Sequence, residues 1–114
     1  MTADFKAFVD RHVDLLAAGD ARAMVENDYH EDAVMVLMVS DPPQVIRGRA
    51  ALTELFTMYL RDIYRGVVAM RKVEIIEDSI CLEATILTTS GEAGVWDALY
   101  MKDGMIYRHY SGLK

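Results

Sequence analysis

The sequence lacks the marks of a secreted, membrane-spanning or nucleic-acid-binding protein. Its single cysteine, Cys81, excludes an intrachain disulfide, and the first residues, MTADFKAFVDRH, have neither the basic start nor the apolar block of a signal peptide. No apolar run approaches the roughly 20 residues that span a bilayer. Only 12 Lys and Arg stand against 18 Asp and Glu, and the net charge of −6 disfavours binding to phosphates. We therefore expect a cytoplasmic protein whose partners include neither nucleic acid nor membrane.

The usual metal and cofactor motifs are also absent from the sequence. The three histidines and the cysteine form no HxH, HExxH or CxxC spacing, and no GxGxxG, GxxxxGK or GxSxG occurs. These absences predict no metal site, no cofactor and no serine nucleophile. Cys81, in the run ICLEATIL, is predicted to be a buried small hydrophobic residue.

What the chain does contain is an apolar fraction of 53% and eight methionines. A chain of 114 residues suits one domain with its own core, so we treat residues 1–114 as a single domain. Because the apolar fraction is at or a little above the usual range, we expect part of it to line a cavity or a subunit interface. Most of the methionines are expected to fill the core.

Three segments have the period of amphipathic helices. Apolar residues recur at helical spacing over residues 5–16, and Gly19 is placed to end this helix in a left-handed cap. Asp20 is placed to begin a second, short helix over residues 21–25. The clearest helical stripe covers residues 52–63.

The other segments are rich in β-branched residues and are separated by turn sequences such as EDS, SGEAG and KDG. The last four follow one another through short turns, which requires antiparallel pairing. Helices in the first half and a meander in the second predict an α+β domain, with a curved, mainly antiparallel sheet wrapped around the N-terminal helices. The predicted strands are residues 33–39, 44–46, 67–76, 80–89, 95–101 and 105–111.

Three stretches resemble one known superfamily. The stretch RHVDLLAAGDARAMVENDYHEDAV is similar to the first two helices of that superfamily and to the entry into its first long strand. The stretch RGRAALTELF is similar to its next helix, and MKDGMIYRHYSG is similar to its closing hairpin. By the order and spacing of these motifs, nearly the whole chain resembles the nuclear transport factor 2-like superfamily, in particular the SnoaL-like polyketide cyclases and ketosteroid isomerases. The resemblance implies a cone-shaped cavity between the first and third helices and the concave face of the sheet.

The resemblance also implies roles for individual residues. Asp97 falls where a ketosteroid isomerase has the protonated carboxylic acid of its oxyanion hole, and His12 falls where that enzyme has the partner tyrosine. The isomerase's proton-shuttling carboxylate would fall at Leu37, and the acid-base aspartate of the cyclases at Ser111. Neither Leu37 nor Ser111 replaces a carboxylate, which argues against steroid isomerisation.

Asp97 is the one carboxylate in the strand VWDALYM, where every other residue is apolar or aromatic, so it needs a partner or a pocket. If KDG is a three-residue hairpin loop, Asp97 lies opposite His109, close enough to hydrogen-bond its imidazole. If the loop is instead a two-residue turn, Asp97 lies opposite Tyr110 with Arg108 diagonal to it, and the result is a structural ion pair.

These residues suggest a candidate site. His109, held by Asp97, has the properties of a general base or acid. His12 is expected to point at the same cavity, and either His12 or a tyrosine would donate a hydrogen bond to a developing oxyanion. The alternatives are a structural polar pair at the hairpin and a core histidine on the first helix. The predicted ligand-binding residues are Tyr29, Leu37, Phe56, Tyr59, Leu99, Met101, Tyr107 and Ser111.

We therefore expect a cofactor-free enzyme that moves protons on a small apolar carbonyl- or hydroxyl-bearing molecule, as an isomerase, dehydratase or aldol-type cyclase. The alternative is a non-catalytic ligand-binding or dimerisation module of the same fold. The outer sheet face is predicted to form a homodimer interface because it would otherwise expose a large apolar patch. The residues predicted for this patch are Trp96, Ala98, Tyr100, Ile106 and Tyr110.

Overall fold

The computed structural model describes residues 4–114 and contains the helices and strands in the predicted order. Three helices lie in the first half of the chain, and four consecutive strands form its second half. The α+β class is therefore confirmed. The elements are α1 (Phe5–Ala18), α2 (Ala21–Asp28), β1 (Tyr29–Leu37), β2 (Gln44–Arg47), α3 (Gly48–Asp62), β3 (Tyr64–Ile76), β4 (Ser79–Thr88), β5 (Gly91–Lys102) and β6 (Met105–Leu113).

The ends of α1 and α2 are set by local capping chemistry. Gly19 adopts the left-handed conformation, with φ 74°, and its N–H donates to the carbonyl of Leu16. The side chain of Asp20 then accepts a hydrogen bond from the N–H of Ala23 at the start of α2. Both caps were predicted, because glycine is favoured after a helix and aspartate before one.

The six strands form one open mixed sheet in the order β2-β1-β6-β5-β4-β3. Every neighbouring pair is antiparallel except β1 and β6, which run parallel. Register shifts interrupt the β3–β4 pairing at three places, and such bulges increase the bend and twist of a strand. The curved sheet packs one face against the helices.

The β5–β6 hairpin differs from both registers considered for it. Its turn is two residues long, with Asp103 and Gly104 both at positive φ, and Lys102 pairs with Met105. The prediction of a three-residue loop was wrong. A register shift follows immediately, since Met101 pairs with Ile106 but Tyr100 pairs with Arg108.

This register shift leaves Tyr107 as a bulged residue and decides what faces the helices. It places Asp97 opposite Ser111, with His109 opposite Leu99. In an antiparallel pair, diagonal neighbours on one face are still within reach of long side chains. Asp97 and His109 therefore share the inner face as a diagonal pair, and neither predicted opposite partner, His109 or Tyr110, is correct.

Two predicted positions are corrected by the same sheet. Ile106 was predicted on the outer face, but its side chain is fully buried because the two-residue turn aligns it with Met101 on the inner face. Cys81 was predicted to be buried, but it is exposed. It pairs with Ala98 in β4–β5, and that position faces away from the helices.

The main core lies between the helices and the inner sheet face. A smaller cluster of Tyr64, Ala84 and Ile86 extends it toward the far edge of the sheet. Between residues 4 and 114, no helix is long and apolar enough to cross a membrane. The largest fully buried side chains are Tyr29, Met24, Leu52, Ile80, Ile106, Val25 and Asp28.

Candidate functional site

A cavity of about 400 Å³ lies between α1, α3 and the inner face of the sheet. This is the place that the sequence resemblance implied. Its wall is mainly aliphatic and aromatic, as in most sites for small organic ligands. The polar side chains among the lining residues are His12, Gln44, Tyr59, Tyr64, Thr88, Asp97, His109 and Ser111.

Asp97 and His109 form a hydrogen-bonded pair at this cavity. His109 Nε2 lies 2.7 Å from Asp97 Oδ1, and His109 Nδ1 lies 2.8 Å from the hydroxyl of Tyr29. Both ring nitrogens of His109 are thus occupied, and only 6% of the residue is exposed. A ligand in the cavity would meet Asp97, whose side chain is 20% exposed, before it met the imidazole.

The carboxyl group of Asp97 is ionised at neutral pH. Burial raises its pKa, but the hydrogen bond and charge of His109, a hydrogen bond from Ser111 and the charge of His12 together hold that pKa below its ordinary value of 3.8. An ionised carboxylate accepts hydrogen bonds and cannot donate them. This differs from the protonated acid that the resemblance to ketosteroid isomerases implied at Asp97.

The network continues behind His109 into the core. Tyr29 is fully buried, and its ring stacks against that of His109, with centroids 6.0 Å apart. Burial, followed by the negative charges of Asp97 and Asp28, raises the pKa of Tyr29 well above 10. Its neutral hydroxyl can donate to Nδ1 or accept from it while Nε2–H donates to Asp97, so both bonds are satisfied in either protonation state of His109.

A second carboxylate–imidazole pair joins α1 to α2. His12 Nδ1 lies 2.8 Å from Asp28 Oδ2, and Arg11 donates to Asp28 Oδ1 at the same distance. The side chain of Asp28 has no exposed area. Burial raises the pKa of Asp28, but the hydrogen bonds and charges of His12 and Arg11 outweigh burial and lower the pKa below 3.8.

Asp28 was not identified from the sequence. The sequence carried one signal, since Asp28 is an acid in the last turn of a helix, where the partial negative charge of the carbonyl groups opposes it. An acid in that position needs either solvent or cationic partners. The identity of those partners depends on how α1 packs against α2, which the local sequence does not specify.

His12 has one ring nitrogen available to a ligand. Its Nδ1 is engaged by Asp28, and Nε2 has no hydrogen-bond partner among residues 4–114. None of the buried side-chain polar atoms in this part of the chain lacks a partner, so Nε2 must be accessible. His12 lines the cavity with its ring stacked on Phe8 at 5.9 Å.

The two pairs therefore present opposite chemistry to the same space. At His109 and Asp97, the carboxylate is the more exposed member, with 20% of its side chain exposed against 7% for the imidazole. At His12 and Asp28, the imidazole faces the cavity and the carboxylate supports it. His12 lies close enough to Asp97 for its charge to lower the pKa of that carboxyl group.

The structure brings most of the other predicted ligand-binding residues to the cavity. Burial, then the charges of Asp97 and Tyr64, raises the pKa of Tyr59 to about 12, so its hydroxyl stays neutral. The predicted residues that line the cavity are Leu37, Phe56, Tyr59, Leu99 and Ser111. Tyr64 and Gln44 also line it and were missed.

Three predicted ligand-binding residues are not part of the cavity lining. Tyr29 lies behind His109, as described above. Met101 is buried in the main core. Tyr107, at the bulge, packs edge-on against His30 and carries the guanidinium of Arg108 over its ring at 4.0 Å. The described residues, 4–114, contain no group of His, Cys, Asp and Glu that could hold a metal ion.

The chain matches no family profile and no curated protein sequence. Solved structures do match it. An NTF2-like protein of unknown function from Mesorhizobium loti superposes with a TM-score of 0.80 at 17% identity, over 96% of this chain and 89% of that one. A candidate polyketide cyclase from Sinorhizobium meliloti has a TM-score of 0.74 at 17% identity, over 90% of this chain and 91% of that one.

A third solved structure contains a bound small molecule. It is a protein with a ketosteroid isomerase-like fold from Catenulispora acidiphila, in complex with trimethylamine. Its TM-score is 0.75 at 14% identity, over 90% of this chain and 82% of that one. These likenesses confirm the predicted nuclear transport factor 2-like fold. Because one fold supports many activities, the function has to be argued from the site itself.

Proposed function

We propose that this chain with the nuclear transport factor 2-like fold is a cofactor-free enzyme that transfers protons on a small, largely apolar molecule. The observation that carries the proposal is the pairing of an accessible carboxylate and an accessible imidazole at one apolar cavity. Each has its reactive group toward the cavity and a buried partner behind it. A reaction that removes a proton at one atom and adds one at another needs this combination.

Asp97 acts as the base and His12 as the acid. Asp97 takes a proton from a C–H beside a carbonyl, or from a hydroxyl, and His12 Nε2–H gives a proton to the carbonyl oxygen or to a departing hydroxyl. His109 was expected to transfer the proton itself. Because both its nitrogens are occupied, we assign it instead as a positioning residue that orients Asp97.

The reaction class follows from the groups present. Proton removal next to a carbonyl is common to isomerisation and to aldol-type cyclisation, and proton donation to a hydroxyl permits dehydration. The candidate polyketide cyclase among the similar structures is compatible with this class. A cavity of about 400 Å³ limits the enclosed part of the substrate to a molecule of drug-like size or smaller.

A ligand-binding module without catalysis is the second candidate. It is favoured by Leu37 and Ser111, which line the cavity at the positions where related enzymes have their proton-transferring carboxylates. A binding module needs the cavity and its polar groups but not a free base. The two candidates therefore differ in whether Asp97 and His12 change the rate of a reaction or only the affinity for a ligand.

Proton exchange at carbon separates the two candidates without knowledge of the natural substrate. Small cyclic ketones are incubated with the protein in D₂O, and loss of the protons beside the carbonyl is followed by NMR. We expect exchange above the buffer rate, reduced about 10²- to 10⁴-fold by Asp97→Asn or His12→Gln, the range for a general acid or base. His30→Gln is the matched control, since His30 does not line the cavity.

The result that contradicts catalysis is exchange at the buffer rate for every ketone, although the ketones bind. Equal rates for wild type and Asp97→Asn would remove Asp97 from the mechanism even if exchange occurs. In both cases, binding is measured in parallel by ligand-observed NMR. Binding without any variant-dependent exchange favours the non-catalytic module.

We also propose that the outer sheet face forms a homodimer, as the sequence predicted. Because Ile106 is buried, the patch consists of Trp96, Ala98, Tyr100 and Tyr110. Tyr100 is 47% exposed and Tyr110 is 41% exposed. The exposed Cys81 adjoins it through its pairing with Ala98. Exposed aromatic side chains gathered on one sheet face support an interface between protein surfaces. A cytoplasmic location stays a prediction from the sequence.

A further inference from the structure

The cavity carries negative charge but no fixed positive charge. Among residues 4–114, its lining contains no Lys or Arg side chain, and its one carboxylate is Asp97. The guanidinium of Arg11 is bonded to Asp28 and is not part of the lining.

We propose that the cavity selects its ligand by charge: it takes neutral or positively charged apolar molecules, favours those that place an N–H or O–H donor against Asp97, and excludes carboxylates and phosphates. This inference rests on the proposed function, because it assumes that the cavity is a ligand site, and it names the class of molecule that the site accepts.

Asp97 determines which kind of polar atom can lie beside it. Its Oδ1 already accepts from His109, and the exposed fifth of its side chain is turned to the cavity. An ionised carboxylate has only acceptor sites, so a ligand atom in hydrogen-bond contact with it must be a donor. A second carboxylate or a phosphate in that position would be repelled, at a place with little solvent to screen the charges.

An anion would also lose its hydration without compensation. Transfer of a charged group into an apolar site is costly unless a partner charge is present. The imidazole with a free nitrogen toward the cavity is His12, and its Nδ1 is already bonded to the carboxylate of Asp28 at 2.8 Å, so an anion beside His12 would also face that negative charge. A cation, in contrast, meets the carboxylate of Asp97 in a cavity whose lining also includes the aromatic residues Phe56 and Tyr59.

The mouth of the cavity supports an apolar body for the ligand. Several lining residues near the opening are large, apolar and partly exposed, including Val39 at 54% and Leu113 at 63%. The same set includes Met58, Val67 and Met70. An apolar ligand with its donor end at Asp97 would cover these side chains with its other end.

The test uses three probes with the same apolar cage and different charge: 1-adamantylammonium, 1-adamantanol and 1-adamantanecarboxylate. Affinities are measured at neutral pH by ligand-observed NMR and calorimetry on the intact protein. We expect the ammonium compound to bind at least about tenfold more tightly than the carboxylate, which corresponds to the low end of the coupling energies of close charge pairs. The alcohol should bind with intermediate affinity.

Variants identify the group responsible. In Asp97→Asn the preference for ammonium over carboxylate should fall to within about threefold, since less than about 1 kcal/mol of discrimination would remain. Asp103→Asn, at the exposed hairpin turn, removes the same charge from the chain at a residue outside the cavity lining and should leave the preference unchanged. If Asp97→Asn does not fold, the comparison of the three probes in the wild type still decides the question.

Three results would overturn the inference. Carboxylate binding as tight as ammonium binding would do so, and would leave the acid-base proposal standing on the exchange assay. Carboxylate binding that His12→Gln abolishes would assign His12 as an anion site. Absence of binding by all three probes, at millimolar concentration, would overturn the inference, and the ketone exchange and binding assays would still decide the proposed function separately.

Discussion

Asp28→Asn removes the negative charge behind His12 and changes the shape of the side chain very little. Both oxygens of Asp28 accept a hydrogen bond at 2.8 Å, one from His12 and one from Arg11, and the side chain has no exposed area. The amide of Asn has one acceptor oxygen and one donor NH₂. One of the two donors therefore loses its partner and instead faces another donor.

The size of the effect follows from the exposure of each partner. The His12 bond falls within the range of about 1.5 to 3 kcal/mol for hydrogen bonds to charged groups, because the His12 side chain is only 14% exposed. The Arg11 bond is discounted to below about 1 kcal/mol, because that side chain is 55% exposed and screened by solvent. Because Asn keeps one acceptor oxygen and loses one of these two bonds, we expect Asp28→Asn to lower the free energy of unfolding by about 1 to 3 kcal/mol at neutral pH.

The loss of unfolding free energy caused by Asp28→Asn should depend on pH in a defined direction. The folded-state pKa of Asp28 is lowered below 3.8, despite burial, by its bonds to His12 and Arg11. Stabilisation from a lowered pKa is fully present above the unfolded value and is lost as pH falls through the folded value. The difference between wild type and Asp28→Asn should thus be full at neutral pH and shrink below about pH 4.

Urea unfolding at several pH values measures this difference. The midpoint should move while the slope with urea stays the same, which marks a change in stability and not in the extent of unfolding. Asp103→Asn serves as the control for the loss of one charge, since Asp103 is an exposed residue at the hairpin turn. A loss below about 0.5 kcal/mol, the size of an ordinary surface substitution, would refute the reasoning. A difference that persists undiminished in acid would also refute it.

Three further substitutions test other parts of the structure. Tyr29→Phe leaves Nδ1 of His109 without its partner and should cost about 1 to 3 kcal/mol in urea unfolding, so an unchanged midpoint would contradict this bond. Gly112→Ala places a methyl group 2.5 Å from the indole nitrogen of Trp96, so the indole ring has to move. This movement should lower the free energy of unfolding by about 1 to 3 kcal/mol and shift the tryptophan fluorescence emission. An unaltered emission spectrum would count against this packing. Trp96→Glu should convert the proposed dimer to a monomer by light scattering, and a wild-type protein that is already monomeric at micromolar concentration would exclude the interface.

Local chemistry made the helices and their ends predictable. Gly19 and Asp20 act through their own backbone conformation and side chain, so their effect can be recognised without knowing what packs nearby. The alternation in VWDALYM likewise identified Asp97 as a carboxylate in an apolar strand that needed a partner. The contact between Asp97 and His109 was predicted from a three-residue hairpin loop; the contact occurs in the structure, although that register is wrong.

The route to that contact was not predictable from local sequence. KDG suits a three-residue loop, but the structure has a two-residue turn followed by a bulge at Tyr107. The choice depends on the whole sheet, because β6 also pairs with β1 in parallel and must present Ile106 to the core. A one-residue change in register moves every side chain to the other face, so the bulge is what returns His109 to the side of Asp97.

The sequence by itself determined the fold class, the helix boundaries near Gly19 and the presence of a carboxylate in an apolar strand, because each depends on residues adjacent in the chain. Only the tertiary structure decided which group of each pair faces the cavity. His12 and Asp28 meet across two packed helices, and His109 and Asp97 meet across a bulged hairpin. Such contacts depend on long-range packing and strand register, whose free energies are summed over the whole core and are not written in any short segment.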